Sequence, residues 1–431
     1  MTEEPDTADL ISDQSSASAL PNVIIGGTPL LGRLTGIGHY TRQLVSALHR
    51  YQLVSRLRLW GDISFIDDDA VLTDETIGVV AGANAETVAA DVDSADADSN
   101  AGKRLSSGST WKQAIRQQAA KSYTAARWYA QISERVAAYR LKPFTRDHVY
   151  HSPNFILPPY PGPKVITVHD LSVLRYPEFH RHQMVEICEA GIRRAIEEDA
   201  QIIVDSDVVR QELLAEFSLI DVNITTVPLA PDERCRPRSE AECRSTLRRF
   251  DLSYGGFFLF VGTVEPRKNL SRVFEAYRVG REEKLFDWPL VVVGGRGWKS
   301  ASEHEALEKL CDRGWARYLY YLDDLTLHDL YAATGLLVFP SLYEGFGLPA
   351  VEAAASGSRV LTSLGSAMAE FLGDFATLVD PLDVEAIKKG LYESSVTDTN
   401  QDLPKVVNRT WQEVATETAA VYQKALGDRP S

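Results

Sequence analysis

The chain has 431 residues, 44% of them hydrophobic, enough for two sizeable cores, and its net charge of −15 argues against a general nucleic-acid binder. No run approaches the roughly 18 consecutive apolar residues of a membrane span. The four cysteines, Cys188, Cys235, Cys243 and Cys311, show no metal-ligand spacing and suit a reduced, cytosolic protein.

Residues 1–21 are acidic and Ser-rich, lack the basic and apolar regions of a signal peptide, and are expected to form a disordered tail. Asn22 to Gly26 reads as the first strand. Ile37, Tyr40, Leu44 and Leu48 then recur at helical spacing, so Gly36-Ile37-Gly38 opens a helix. Residues 67–108 read as a polar, largely disordered insertion. The Asp-x-Asp of Asp67-Asp68-Asp69, an element other enzymes use to hold a divalent ion, sits at its edge with no phosphate-binding motif nearby and reads as surface loop. From Lys103 to Lys142 nine Lys or Arg face one acid, Glu134, a local charge of +8. Trp111, Ile115, Tyr129, Ile132 and Val136 fall near helical spacing there, with Trp128 beside them. That suggests a basic amphipathic helix over about 110–142, either packed on the first domain or lying on an anionic membrane.

Val165 to Val168 is a buried strand with His169-Asp170 just past its end, and Gln201 to Val204 is another, followed by Asp205-Ser206 and a helix. Pro228, Pro231 and Pro237 mark a linker at about 229–240, which divides the chain into a domain over 22–232 and a second over 233–408. An amphipathic stretch, Trp411 to Leu426, ends the pattern within a terminal segment at 409–427. Strands alternating with helices predict an α/β fold of two Rossmann-like, doubly wound parallel sheets facing a cleft.

Two segments carry the chemistry. Phe257 to Val261 is a strand run, followed by Gly262-Thr263-Val264-Glu265-Pro266-Arg267-Lys268-Asn269. Two adjacent cations after a strand and a Gly turn suit a diphosphate, Arg267 as a planar fork and Lys268 as a point charge. Gly335 to Phe339 is a second strand run, followed by Pro340 to Glu352. There Phe346, Gly347 and Leu348 lead into a helix with Pro349 at its first position, aiming unpaired amides at the space above the strand. Glu344 in the turn and Glu352 in the first helical turn then border one pocket, where carboxylates accept hydrogen bonds from sugar hydroxyls. Amides and cations for phosphate, with carboxylates for hydroxyls, describe a nucleotide-sugar site. The bland alternative is a strand-turn-helix with solvated glutamates. For His169 it is a core histidine satisfied by Asp170, and for Trp298 it is packing.

These segments, with Gly36-Ile37-Gly38-His39-Tyr40 and Thr167-Val168-His169-Asp170-Leu171, resemble the retaining glycosyltransferases of family 4, which have the GT-B fold. The resemblance covers about residues 22–425 and implies a terminal helix that returns to pack on the first domain. It places Glu344 on the donor-sugar hydroxyls, Glu352 on the ribose, His169 against the transferred sugar, and Gly36, Ile37 and Gly38 at an acceptor and diphosphate loop. Many members carry Arg after the glycine where this chain has Thr263, so phosphate neutralisation rests more heavily on Arg267 and Lys268. Gly294-Gly295-Arg296-Gly297-Trp298, with Gly294 and Gly295 approaching the nucleotide, is similar to bacterial mannosyltransferases of polysaccharide and O-antigen assembly.

What the resemblance implies is hexosyl transfer, best matched by mannose from GDP-mannose, to a lipid-linked glycan or exopolysaccharide precursor. The leaving phosphate would take the acceptor proton, and no metal or other cofactor is expected. The expected location is cytoplasmic, peripheral at the inner face of the membrane, with no nucleic-acid partner. Two other readings stay open: a sucrose- or trehalose-type synthase with a soluble acceptor, and a catalytically silent protein that binds a nucleotide sugar.

Overall fold

The structure is a computed structural model, and it describes residues 20–31, 34–61, 63–66, 123–219, 223–320, 322–396 and 405–427. The first sheet starts at β1 (Asn22–Gly26), whose Val23, Ile24 and Ile25 are fully buried because helices cover both faces of the sheet. Helix α1 (Gly36–Arg50) buries Tyr40, Leu44 and Leu48, the stripe set by their spacing. Then come β2 (Arg56–Trp60), β3 (Phe65–Ile66), α2 (Tyr123–Leu141), β4 (His148–Ser152), β5 (Lys164–Val168), α3 (Ser172–Arg175), α4 (His182–Glu197), β6 (Gln201–Val204), α5 (Asp207–Phe217) and β7 (Ile224–Thr226). The strand order is β3-β2-β1-β4-β5-β6-β7, parallel except for the short β2–β3 pair.

The chain then crosses to a second sheet. Helix α6 (Glu240–Arg249) opens with a reciprocal cap, Ser239 accepting from the Glu242 amide and Glu242 from the Ser239 amide. After it come β8 (Phe258–Val261), α7 (Leu270–Glu282), β9 (Leu290–Val293), α8 (Ala301–Asp312), β10 (Ala316–Leu319), α9 (Asp324–Ala333), β11 (Leu336–Phe339), α10 (Leu348–Ala355), β12 (Val360–Ser363), α11 (Ala367–Leu372), β13 (Thr377–Val379) and α12 (Val384–Val396). Their order is β10-β9-β8-β11-β12-β13, all parallel. The order reverses between β8 and β11, and the crevice outside the carboxyl ends of strands at such a point is where open α/β sheets bind ligands. Both motif-bearing segments leave the sheet at that point.

Helix α13 (Trp411–Gly427) returns to the first sheet, against α1 and the strands β4 to β6. It is tied there by a buried polar chain. The Tyr422 hydroxyl lies 2.7 Å from His151 Nδ1, His151 Nε2 lies 2.8 Å from Thr167 Oγ1, and Thr167 lies 3.0 Å from the Tyr40 hydroxyl. Each group is paired, which is what makes a polar chain tolerable inside a core.

Only part of the basic region falls within the described residues. The described helix begins at Tyr123, so Trp111, Ile115 and the rest of 110–122 lie outside the described residues, as do insertion 67–108, Asp67-Asp68-Asp69 and residues 1–19 of the tail. On α2, Ala137 and Leu141 are buried, whereas Ile132 of the expected apolar stripe is exposed, as is Tyr139 beyond it, so Ile132 does not pack on the first domain.

Candidate active site

Backbone contact between strand ends shapes the floor of the crevice. Gly262 and Gly294 hold φ of +149° and +150°, and a Cβ on Gly294 would stand 1.9 Å from the Gly262 carbonyl oxygen. Gly294 thus makes a close backbone approach to Gly262. The Gly295 carbonyl accepts from the Val264 amide at 2.9 Å, and Thr263 stands exposed beside it.

The turn Pro266–Lys268 follows, and Asn269, at φ +62°, locks it to the neighbouring loop. The Asn269 side-chain amide donates to the Pro340 and Pro381 carbonyls at 3.0 and 2.7 Å. Arg267 and Lys268 then reach Glu344 together. Lys268 Nζ is 2.6 Å from one carboxylate oxygen and Arg267 3.1 Å from the other. Arg267 also donates to the Tyr343 carbonyl and to Glu265, each at 3.0 Å, and Lys268 Nζ sits 4.8 Å from the centre of the Phe339 ring.

Lys268 and Glu344 are each only 8% exposed. Burial alone would raise the Glu344 carboxyl, but the two cations outweigh it and hold the carboxylate below its ordinary range. Burial and the adjacent Arg267 charge pull the Lys268 ammonium below its ordinary value, against the attraction of Glu344. The positive potential expected for a diphosphate is thus present but neutralised by the chain's own carboxylates.

Helix α10 has Gly347 as its N-cap, at φ +92°, and Pro349 at its second position. The Phe346 side chain packs into the core against Phe371, 4.5 Å between ring centres, and Leu348 is half-buried. Glu352 is the fifth helical residue, in the second turn rather than the first. Its charged surroundings differ from those of Glu344: Asp232, Asp324 and Arg234 lie near it at the crossing between the sheets. Burial, with Asp232 next, pushes its carboxyl up to about 7. The two glutamates therefore occupy different charge environments.

From the first sheet, His169 follows β5, and its partner is Asp205, not Asp170: Nδ1 lies 2.7 Å from Asp205 Oδ2, and Nε2 3.1 Å from the Pro153 carbonyl oxygen. Burial works against the imidazolium, but Asp205 outweighs it and raises the His169 pKa. Asp170 accepts from the Ser172 amide at 2.8 Å, and the Arg267 charge offsets its burial to hold its carboxyl low. The His169 carbonyl is the group that meets the second sheet. A Cβ on Gly345 would stand 1.8 Å from that oxygen. Gly36, Ile37 and Gly38 form the first turn of α1, whose Tyr40 ring stands edge-on to His169 at 4.6 Å.

Sequence reading missed Asp205, Gly345 and Tyr343. Asp205 had a signal, a position directly after a strand like that of His169. The others depend on which loops face each other. Trp298 is 42% exposed and packs under the Arg181 guanidinium, 4.2 Å from its ring centre. Asp323, N-cap of α9, accepts from the Thr326 amide, as a turn before a helix requires. Among the described residues no group of three His, Cys, Asp or Glu could hold a metal ion.

Comparison with known proteins fits this geometry. Residues 254–395 match the family described as glycosyl transferases group 1. Over 407 residues the chain is 31% identical to O-antigen chain mannosyltransferase B of Escherichia coli, covering 93% of this chain and 99% of that one. It is 26% identical to an MMP alpha-(1->4)-mannosyltransferase of Mycolicibacterium hassiacum, over 54% of this chain and 56% of that protein. Among solved structures, WaaG, a glycosyltransferase involved in lipopolysaccharide biosynthesis, superposes with a TM-score of 0.59 at 15% identity, covering 94% of this chain and 97% of that one. That likeness shows the shared GT-B architecture of two facing α/β domains.

Proposed function

The chain belongs to the glycosyl transferases of group 1, and on that premise we propose that it moves mannose from GDP-mannose, with retention at the anomeric carbon, to a hydroxyl of a lipid-linked glycan or polysaccharide precursor. The observation that carries the reading is the pair Arg267 and Lys268, buried at the carboxyl end of β8 and sharing Glu344. Relatives that are mannosyltransferases support the choice of sugar.

Breaking the anomeric bond leaves extra negative charge on the diphosphate, and preorganised cations there lower the barrier most. In this reading the diphosphate replaces Glu344 as partner of the two cations. The freed carboxylate turns to the hydroxyls of the transferred sugar, while Glu352 meets the ribose. The His169 carbonyl, pressed on Gly345, faces the positive charge that develops on the sugar ring. The two cations supply the charge a divalent ion would otherwise bring, so no metal is required. The enzyme works at the cytoplasmic face of the membrane, with the basic segment including α2 as its peripheral contact. Among the described residues no helix is long and apolar enough to cross a membrane.

The test is nucleoside diphosphate release from a panel of donors with EDTA present, wild type against Lys268→Ala. Release from GDP-mannose that is lost in the variant supports the proposal. Release from UDP-sugars alone overturns the donor, and dependence on added divalent ions overturns the metal-independent route.

A further inference from the structure

Strands β4, β5 and β6 lie side by side, and the first residue beyond each of them is Pro153, His169 and Asp205 respectively. The middle one ties the other two. His169 Nδ1 meets Asp205 Oδ2 at 2.7 Å on one side, and Nε2 meets the Pro153 carbonyl at 3.1 Å on the other. A carbonyl oxygen only accepts, so Nε2 carries a hydrogen. Both ring nitrogens are therefore committed to neighbouring loops, and neither is free for a substrate. The Tyr40 ring packs against the imidazole at 4.6 Å, and Asp170 and His151 are its other titratable neighbours.

Asp205 is 2% exposed, and its second oxygen, Oδ1, is buried without a hydrogen-bond partner. Among the described residues its side chain thus bonds to His169 alone. A buried carboxylate with one oxygen unmatched adds little net stability. What it does supply is a fixed direction for the ring. The two anchors set the His169 side-chain torsions, and the Asp170 side chain accepts from the Ser172 amide on the following turn. The His169 carbonyl is held between them, against Gly345 of the other half. The segment after Asp205 makes the same crossing, since the Asp207 and Val208 amides donate to Glu370.

We propose that Asp205 is a positioning residue: by holding the His169 ring between the loops after β4 and β6, it keeps the His169 carbonyl aimed at the sugar as the anomeric bond breaks. This rests on the reading that this carbonyl faces the developing positive charge. Asp205 itself touches neither substrate nor reacting atoms.

The test compares Asp205→Ala and Asp205→Asn with wild type in nucleoside diphosphate release, using a donor that wild type turns over, with thermal midpoints as the check on folding. Asp205→Ala removes one anchor but strands no charge, because the imidazole sheds its proton. Its kcat is expected to fall by about 10–10², at an unchanged midpoint and with donor KM within about twofold of wild type. In Asp205→Asn the side-chain amide donates to a neutral Nδ1 while Nε2–H stays on the Pro153 carbonyl, so most of the lost kcat returns. An unchanged kcat in Asp205→Ala, an effect on KM alone, or an equal loss in both variants overturns the proposal. Ring ¹⁵N NMR of histidine-labelled wild type, with His169→Gln to identify the signals, gives a readout that does not depend on either Asp205 variant folding. Nε2 is expected to keep its proton between about pH 6 and 8, and a bare Nε2 there overturns the clamp. The donor reading fails separately. The same Ala and Asn pattern on a UDP-sugar, with GDP-mannose inert, removes that donor and leaves Asp205. Turnover of GDP-mannose that is indifferent to both variants removes Asp205 and leaves the donor.

Discussion

Glu344 answers two buried cations at once, and this makes each of the three residues sensitive in a different way. Removing Lys268 leaves the carboxylate still paired with Arg267, so Lys268→Ala is expected to cost about 1–3 kcal/mol of stability, read by urea unfolding. The same variant is expected to slow diphosphate release by about 10²–10³, because one preorganised charge at the leaving group is gone. Glu352 makes a separate prediction in pH. Its carboxyl is raised from 4.5 to about 7, so the folded state holds a proton that the unfolded state has released between those values. Stability from this residue is complete below pH 4.5, falls as pH rises through 7 and is flat above. Glu352→Gln removes the dependence, so the variant should match wild type near pH 4.5 and exceed it at pH 8. The gap is on the order of 1–2 kcal/mol, reduced because the side chain keeps some contact with solvent. Urea midpoints at the two pH values measure it. Arg267, Lys268 and Glu344 were legible as chemistry in the sequence. Their mutual pairing was not, since Lys268 and Glu344 are 76 residues apart.

At the scale of elements, turns decide where the charges go. The Asn269 amide bridges the Pro340 and Pro381 carbonyls and so holds the segment after β8 against the loop after β11. Asn269→Ala should loosen that bridge and lose two hydrogen bonds to buried carbonyls, about 1–3 kcal/mol in a thermal or urea scan. Gly345 has no room for a side chain, because its Cβ position lies 1.8 Å from the His169 carbonyl oxygen. Gly345→Ala should therefore part the two loops, costing about 1–3 kcal/mol and depressing donor turnover more than Asn269→Ala does. Most strands and helices were readable because apolar runs and 3.6-residue stripes are local. Which stripe of α2 is buried was not legible, since it depends on the core beside the helix.

Over the whole molecule the two halves meet through a few polar contacts on both sides of the crevice. The Tyr343 hydroxyl donates to Glu212 and accepts from the Leu171 amide, at 2.5 and 3.0 Å. Glu370 accepts from the Asp207 and Val208 amides at the start of α5, each at 3.1 Å, a helix cap supplied by the other half. Tyr343→Phe combined with Glu370→Gln should shift the population toward an open form, with a larger radius of gyration in solution scattering and a donor KM raised roughly tenfold. An unchanged scattering profile would show that these contacts do not hold the halves together. By itself the sequence determined the alternation of strands and helices, the two-sheet architecture, and the positions after β5, β8 and β11 where polar residues gather, because periodicity and turn chemistry act over a few residues. Only the tertiary structure decided that His169 pairs with Asp205, that Glu344 neutralises both cations, that Glu352 has different charged neighbours, and that Trp298 faces Arg181 across the crevice. Those pairings join segments distant in the chain, and electrostatics and packing settle them only once the two sheets are brought face to face.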